Sequence, residues 1–216
     1  MKFSIPETRK LFKKIFEWVL SNFHLLLAIF ITIYTVIPIL SPILLHFGFT
    51  RPGWWIQTTF RIFCHQRPER SIFLFGEKLT YSLSELINNG YWSSIFGYPF
   101  VGSERIGYKV AFCIRCTFLY GTLAATGLVT SLSRKIIKIS WWTPVLLILP
   151  MTLDGTMQFL SEATFIAQDK LELELAKPYY LSNNLTRAVT GGLFGLGIGL
   201  FIFSQLKIIG NEKNND

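Results

Sequence analysis

Charge is scarce in this chain. Only 16% of its 216 residues are Asp, Glu, Lys or Arg, against 50% hydrophobic residues, and the mean hydropathy is +0.40. That shortage excludes an ordinary soluble domain, in which about 25% of residues are charged. Acid is scarcer still, with 13 Asp and Glu against 21 Lys and Arg and a formal net charge of +8. The excess cations bracket apolar runs instead of forming a soluble basic face, which points to lipid phosphates and away from nucleic acid. Histidine and cysteine number three each. Three cysteines cannot all pair within one chain, so they permit one disulfide with a free thiol, a metal site, or reduced thiols. No heptad series, fixed-period repeat or low-complexity tract occurs, leaving one compact bundle as the simplest architecture.

Four stretches are long enough to cross about 30 Å of hydrocarbon at 1.5 Å per residue, near 23–47, 110–131, 141–162 and 187–206. The expected fold is an all-α integral membrane protein, a four-span helical bundle over residues 23–207 with a short polar tail at 208–216. Ahead of it, residues 1–22 place Leu11, Phe12, Ile15, Phe16 and Val19 on one side and Arg9, Lys10, Lys13 and Lys14 on the other. They read as a basic amphipathic helix lying in the interface. A cleaved signal peptide is not expected, because the apolar run starts late and is too long for an h-region. The N-terminal cations and Arg134, Lys135 and Lys138 between the second and third spans look cytoplasmic. Glu162, Asp169, Glu172 and Glu174 mark the segment after the third span as extracytoplasmic. Both termini are therefore expected on the cytoplasmic side of the cell membrane. The first loop, about sixty residues rich in aromatic side chains such as Trp54, Trp55, Phe63, Trp92, Phe96 and Tyr98, is expected outside as a lid at headgroup level. Gly191, Gly195 and Gly199 in the last span, and Gly121 and Ala125 in the second, recur every four residues and are expected to let backbones approach closely.

The cysteines carry the chemistry. Cys64-His65-Gln66 and Cys113-Ile114-Arg115-Cys116 use all of them, and both clusters fall at the same membrane face. A Cys-x-x-Cys spacing sets two sulfurs on one side of a helical turn, half of a tetrahedral metal site or a redox dithiol. Near the same depth, Asp154, Gln158 and Glu162 share one face of the third span, at about 20, 26 and 32 Å from the Trp141-Trp142 anchor. Arg115 stands between the paired cysteines, and Asn183, Asn184 and Arg187 open the fourth span. An ionisable residue in a span is costly unless paired, so Asp154 is expected to face Arg115 or Arg187.

These residues carry a resemblance. Cys64-His65-Gln66-x-Pro68-x-Arg70-Ser71, Cys113-x-Arg115-Cys116 with Tyr120-Gly121, Asp154-Gly155-x-x-Gln158 and Asn183-Asn184-x-x-Arg187 are together similar to the family of predicted prokaryotic membrane proteins called domain of unknown function 2085. The resemblance runs from about residue 55 to 205. It implies membrane placement and co-location of the motifs, and it transfers no reaction. The stretch from about 77 to 105 departs from the family pattern, being long for the link between the cysteine motifs.

Three functions stay open on the residues alone. In the first, Cys64, His65, Cys113 and Cys116 hold zinc or another thiophilic metal. Asp154 or Glu162 would then serve as general base, Arg115 would assist, and Gln158, Asn184 and Arg187 would hold a ligand. In the second, Cys113 and Cys116 act as a thiol–disulfide oxidoreductase, favoured by a helix N-terminus and Arg115. In the third, a disulfide from Cys64 ties the loop to the bundle of a structural or regulatory subunit. Haem is disfavoured, since His24 and His46 sit near opposite faces and no His follows the Cys-x-x-Cys. Whether the chain is an enzyme is left open. The partners expected are anionic headgroups of the bilayer and a further membrane protein, with no nucleic acid.

Overall fold

A computed structural model of the chain describes residues 5–91, 100–133, 139–169, 180 and 182–215. Several sequence expectations fall outside these residues: the cationic turn of Arg134, Lys135 and Lys138, the acidic Glu172 and Glu174, and the loop aromatics Trp92, Phe96 and Tyr98. Helix α1 (Ile5–Ser21) runs into α2 (Phe23–His46), followed by α3 (Thr50–Phe60), a 3-10 turn at Pro68–Arg70 and strand β1 (Ser71–Leu74). Then come α4 (Leu83–Asn88), β2 (Gly102–Ser103), β3 (Gly107–Cys113), α5 (Ile114–Leu132), α6 (Trp142–Asp169) and α7 (Asn184–Asn215).

Among the described residues, three helices are long and apolar enough to cross a membrane: Phe23–His46, Trp142–Ala163 and Asn184–Ile209. Helix α5 packs between α2 and α7, and α7 also packs on α6. It has 19 residues, with Arg115 in its first turn, and is not one of these three spans. Their outward faces carry large exposed side chains such as Phe30, Ile33, Leu146, Leu153 and Val189, as lipid-facing surfaces do. On α1, Leu11, Phe12, Ile15, Phe16 and Trp18 are likewise exposed.

The glycine seam joins α7 to α5. A Cβ at Gly191 would stand 2.5 Å from the Arg115 carbonyl oxygen, and one at Gly199 would stand 2.9 Å from Thr126 Cβ. At Gly195 it would overlap the Leu119 carbonyl oxygen and the Thr122 hydroxyl. Thr122 Oγ1 donates across the seam to the Gly192 carbonyl at 2.9 Å. The facing residues on α5 are thus Arg115, Leu119, Thr122 and Thr126, and not the Gly121 and Ala125 face that the four-residue spacing suggested. Gly121 has open space around it and Ala125 is exposed. Gly195→Ala is therefore expected to cost about 1–3 kcal/mol of stability, because backbone atoms cannot yield. Gly121→Ala should change it little, and detergent thermal melts of both variants check the difference.

The long first loop is a folded module, with strands where only an aromatic lid was expected. β1 and β2 flank β3 in an antiparallel sheet ordered β1-β3-β2, with Ser71 opposite Cys113 and Phe73 opposite Lys109. Gly107, at φ +78°, starts β3 where a Cβ would run into Leu74 and Gly76 backbone atoms. Phe73, Tyr81, Leu86 and Ile106 form a small core beside α4. Ser82 caps that helix, its hydroxyl accepting from the Glu85 N–H while the Glu85 carboxylate accepts from the Ser82 N–H. Helix α3 lies along the proline-bearing end of α2, where Pro38, Ser41 and Pro42 are fully buried.

Candidate functional site

The site begins with a buried polar junction that fixes the first cysteine motif. Gln57 on α3 is fully buried. Its amide nitrogen donates to Ser41 Oγ at 3.0 Å and to the Lys109 carbonyl at 2.5 Å. Lys109 Nζ donates to Gln57 Oε1 at 2.8 Å and to Gln66 Oε1 at 3.3 Å. Gln66 in turn donates to the Gln57 and Ala111 carbonyls at 2.9 and 2.8 Å. These bonds hold Gln66 in the left-handed region, at φ +50°, a conformation uncommon for a residue other than glycine. The chain reverses there, so Cys64 and Gln66 turn inward and His65 between them is exposed.

The second motif is delivered by the junction of sheet and helix. The β3 strand leads straight into α5, and Cys113 occupies the helix N-cap in extended conformation, at φ −72° and ψ 161°. The expected helix from residue 110 is therefore strand as far as Cys113. Cys116 follows at the first turn of α5. Cys64, Cys113 and Cys116 place their sulfurs within 4.8 Å of one another, and the Cys113 N–H donates to Cys64 Sγ at 3.3 Å. That set of ligand atoms does not include His65, because adjacent residues on an extended turn face opposite ways; His65 instead lines the cavity beside the cluster. The three cysteines are unbridged.

Aromatic rings close one side of the cluster. Tyr34 packs on Phe60, Phe63, Phe112 and Tyr120 at centroid separations of 5.1–5.8 Å. Hydrogen bonds from the Cys113 and Cys116 side chains lower the pKa of the Cys64 thiol, against the opposing effect of burial. Burial pushes the Lys109 ammonium down to about 7, partly offset by attraction to the Cys64 and Cys113 sulfurs. Its folded pKa lies below the unfolded value, so the native state binds fewer protons between pH 7 and about 10, and stability rises with pH across that interval. Lys109→Met is expected to abolish this rise, which melts of both proteins from pH 7 to 10 would show.

On its other side the cluster opens on a cavity of about 350 Å³, lined among others by Arg67, Arg70, Arg115, Arg187, Gln158 and Glu162. The start of α5, the C-terminal half of α6, the start of α7 and the 3-10 turn bring these residues together. Arg115 Nη2 makes a short ion pair with Asp154 Oδ2 and a longer bond, 3.4 Å, to Gln158 Oε1. Asp154 also accepts from Tyr180 Oη at 2.6 Å and from Ser182 Oγ at 3.2 Å. Both its oxygens are thus engaged. Glu162 Oε1 accepts from Arg70 at 2.5 Å, from Gln158 Nε2 at 3.0 Å and from Arg67 at 3.4 Å. Arg187 Nη1 donates to Asn184 Oδ1 at 3.1 Å, and Asn184 Nδ2 donates to the Glu69 carbonyl at 3.3 Å. Sequence reasoning missed Gln57, Lys109, Tyr180 and Ser182. Lys109 left one signal, a lone cation in the apolar run Tyr108–Cys113.

Compared with known proteins, the chain matches one family model, described as predicted membrane protein (DUF2085), over residues 105–201. This is the family its motifs resemble. The match covers α5, α6 and most of α7, and begins after the long stretch that departs from the pattern. No curated protein and no solved structure gives a significant match.

Proposed function

We propose that this membrane protein of DUF2085 type holds a thiophilic metal ion, zinc or a comparably soft cation, on Cys64, Cys113 and Cys116, with the remaining coordination position facing the charged cavity. The observation that carries the reading is the convergence of three sulfurs from segments 49 residues apart into a space of 4.8 Å. Zinc–sulfur bonds of about 2.3 Å set tetrahedral sulfurs about 3.8 Å apart, so a small contraction suffices. The surroundings favour a thiolate at Cys64: the Cys113 N–H donates to its sulfur, and the positive end of α5 and the Lys109 amine lie nearby. His65, exposed at the turn, lines the same cavity and would have to swing inward to take the remaining position. Such an ion, when bound, polarises a ligand or water. Asp154 serves as counter-ion of Arg115, and Glu162, whose described bonds all fall on Oε1, serves as counter-ion of Arg70 and Arg67. In this reading α5 is a fourth span, both termini lie in the cytoplasm, and α1 rests on anionic headgroups.

Thiol–disulfide exchange is the second reading, favoured by the lowered pKa of Cys64 beside two further thiols. One experiment separates the two: metal content per chain and free thiols, measured on the same sample purified in mild detergent without chelator. About one zinc or copper per chain, with thiols titrating only after its removal, is the result expected. No metal, with a reducible bond between two cysteines, would transfer the site to exchange or to a structural disulfide.

A further inference from the structure

The arginines of the cavity outnumber what the acids around them neutralise. Arg67, Arg70, Arg115 and Arg187 line it, and the acids within reach are Asp154, Glu162 and Glu69. Arg115 is paired with Asp154, and Arg67 and Arg70 share Glu162 and Glu69. Arg187 is left over. It is only 7% exposed, and among the described residues it has no ion pair, its hydrogen bond going to the neutral amide of Asn184. Arg115 Nε is also buried without a hydrogen-bond partner among the described residues. A guanidinium taken out of water with no counter-charge is costly, and breaking even a paired one is strongly destabilising. The helix starts of α5 and α7 add two positive dipole ends at the same place.

We infer that this cavity is an oxyanion site, in which Arg187 and Arg115 take a phosphate-class group beside the cysteine cluster, with Arg70 and Arg67 at its rim. The guanidinium fork matches the paired oxygens of phosphate better than an ammonium would. A volume of about 350 Å³ suits a small phosphorylated molecule or one headgroup. Phe159, 72% exposed, also lines the cavity, so a headgroup whose chains stay in the bilayer and a soluble phosphate share the same chemistry. The inference goes beyond the metal reading and does not depend on it, since the arginines carry their charge whether or not the sulfurs hold an ion.

The test uses the full chain in uncharged detergent, with metal content read separately on the same sample. Inorganic phosphate is titrated at constant ionic strength, and phosphatidic acid is titrated in a phosphatidylcholine background, each followed by calorimetry and by the melting midpoint. Saturable binding of either probe is expected, with Arg187→Gln weakening it at least about tenfold and Arg105→Gln, on the exposed loop, leaving it unchanged. Arg187→Lys should fall between, keeping the charge and losing the fork. Without phosphate, Arg187→Gln should melt higher than the wild type, because a lone buried charge has gone; a purely structural arginine would give the opposite sign. Binding of phosphate alone assigns a soluble ligand, and binding of phosphatidic acid alone assigns a lipid. Absence of binding to both, or equal losses in Arg187→Gln and Arg105→Gln, overturns the inference.

Discussion

Replacing Cys113 by Ser is expected to empty the metal site while leaving the fold in place. The serine hydroxyl has nearly the size of the thiol but does not ionise near neutral pH, and the thiolate is the ligand. The backbone N–H that donates to Cys64 Sγ survives the change, and so does the extended N-cap conformation, which Ser favours. Losing the hydrogen-bond partner of a metal ligand costs about 10–100-fold in affinity, so losing the ligand itself should cost about 100-fold or more. Metal per chain, measured after dialysis against a buffered chelator, should fall from about one to near zero. Because an ion that binds only the folded state stabilises it by mass action, chelator should lower the melting midpoint of the wild type and leave that of Cys113→Ser unchanged. Equal metal content in the two proteins would reject the sulfur site.

Asp154→Asn should be the most damaging single change in the bundle, at about 3–5 kcal/mol, because it leaves the Arg115 guanidinium buried with no counter-charge. Tyr180 and Ser182, which donate to different oxygens of Asp154, would share a single acceptor oxygen. Adding Arg115→Met should recover much of the loss, since removing both partners of a buried pair is far cheaper than removing one. A double-mutant cycle read by denaturant unfolding in mixed micelles measures this coupling. Additive effects would mean that the two residues do not act as a pair.

Long apolar runs were legible almost to the residue. The first span, expected at 23–47, is Phe23–His46, because no other element can absorb a predominantly apolar run of 24 residues. The span expected from residue 110 puts Val110–Cys113 in a helix, where the structure has strand: Tyr108–Cys113 is short and mostly apolar, and periodicity cannot assign such a run to strand or helix. Its assignment comes from pairing with β1, some 35 residues earlier in sequence. The Arg115–Asp154 pair was half-legible, since a buried acid needs a cation but spacing does not choose between Arg115 and Arg187. The inward glycines of α7 were readable as small residues, whereas their α5 partners are Leu119, Thr122 and Thr126, which no small-residue pattern marks. Lys109 and Gln57 meet across 52 positions, and nothing local announces the meeting. His65 was placed with the cysteines by adjacency, and the turn at Gln66 sends it the other way.

The chain order of the cavity has a consequence for biosynthesis. All three thiols have been made by residue 116, but the wall carrying Arg187 belongs to α7, which begins at Asn184. At ordinary rates of translation the interval between them is about 3–14 s. Through that interval the cavity beside the cysteine cluster lacks the wall that Arg187 later supplies. The cavity is thus complete only once the last helix has brought its glycines onto α5.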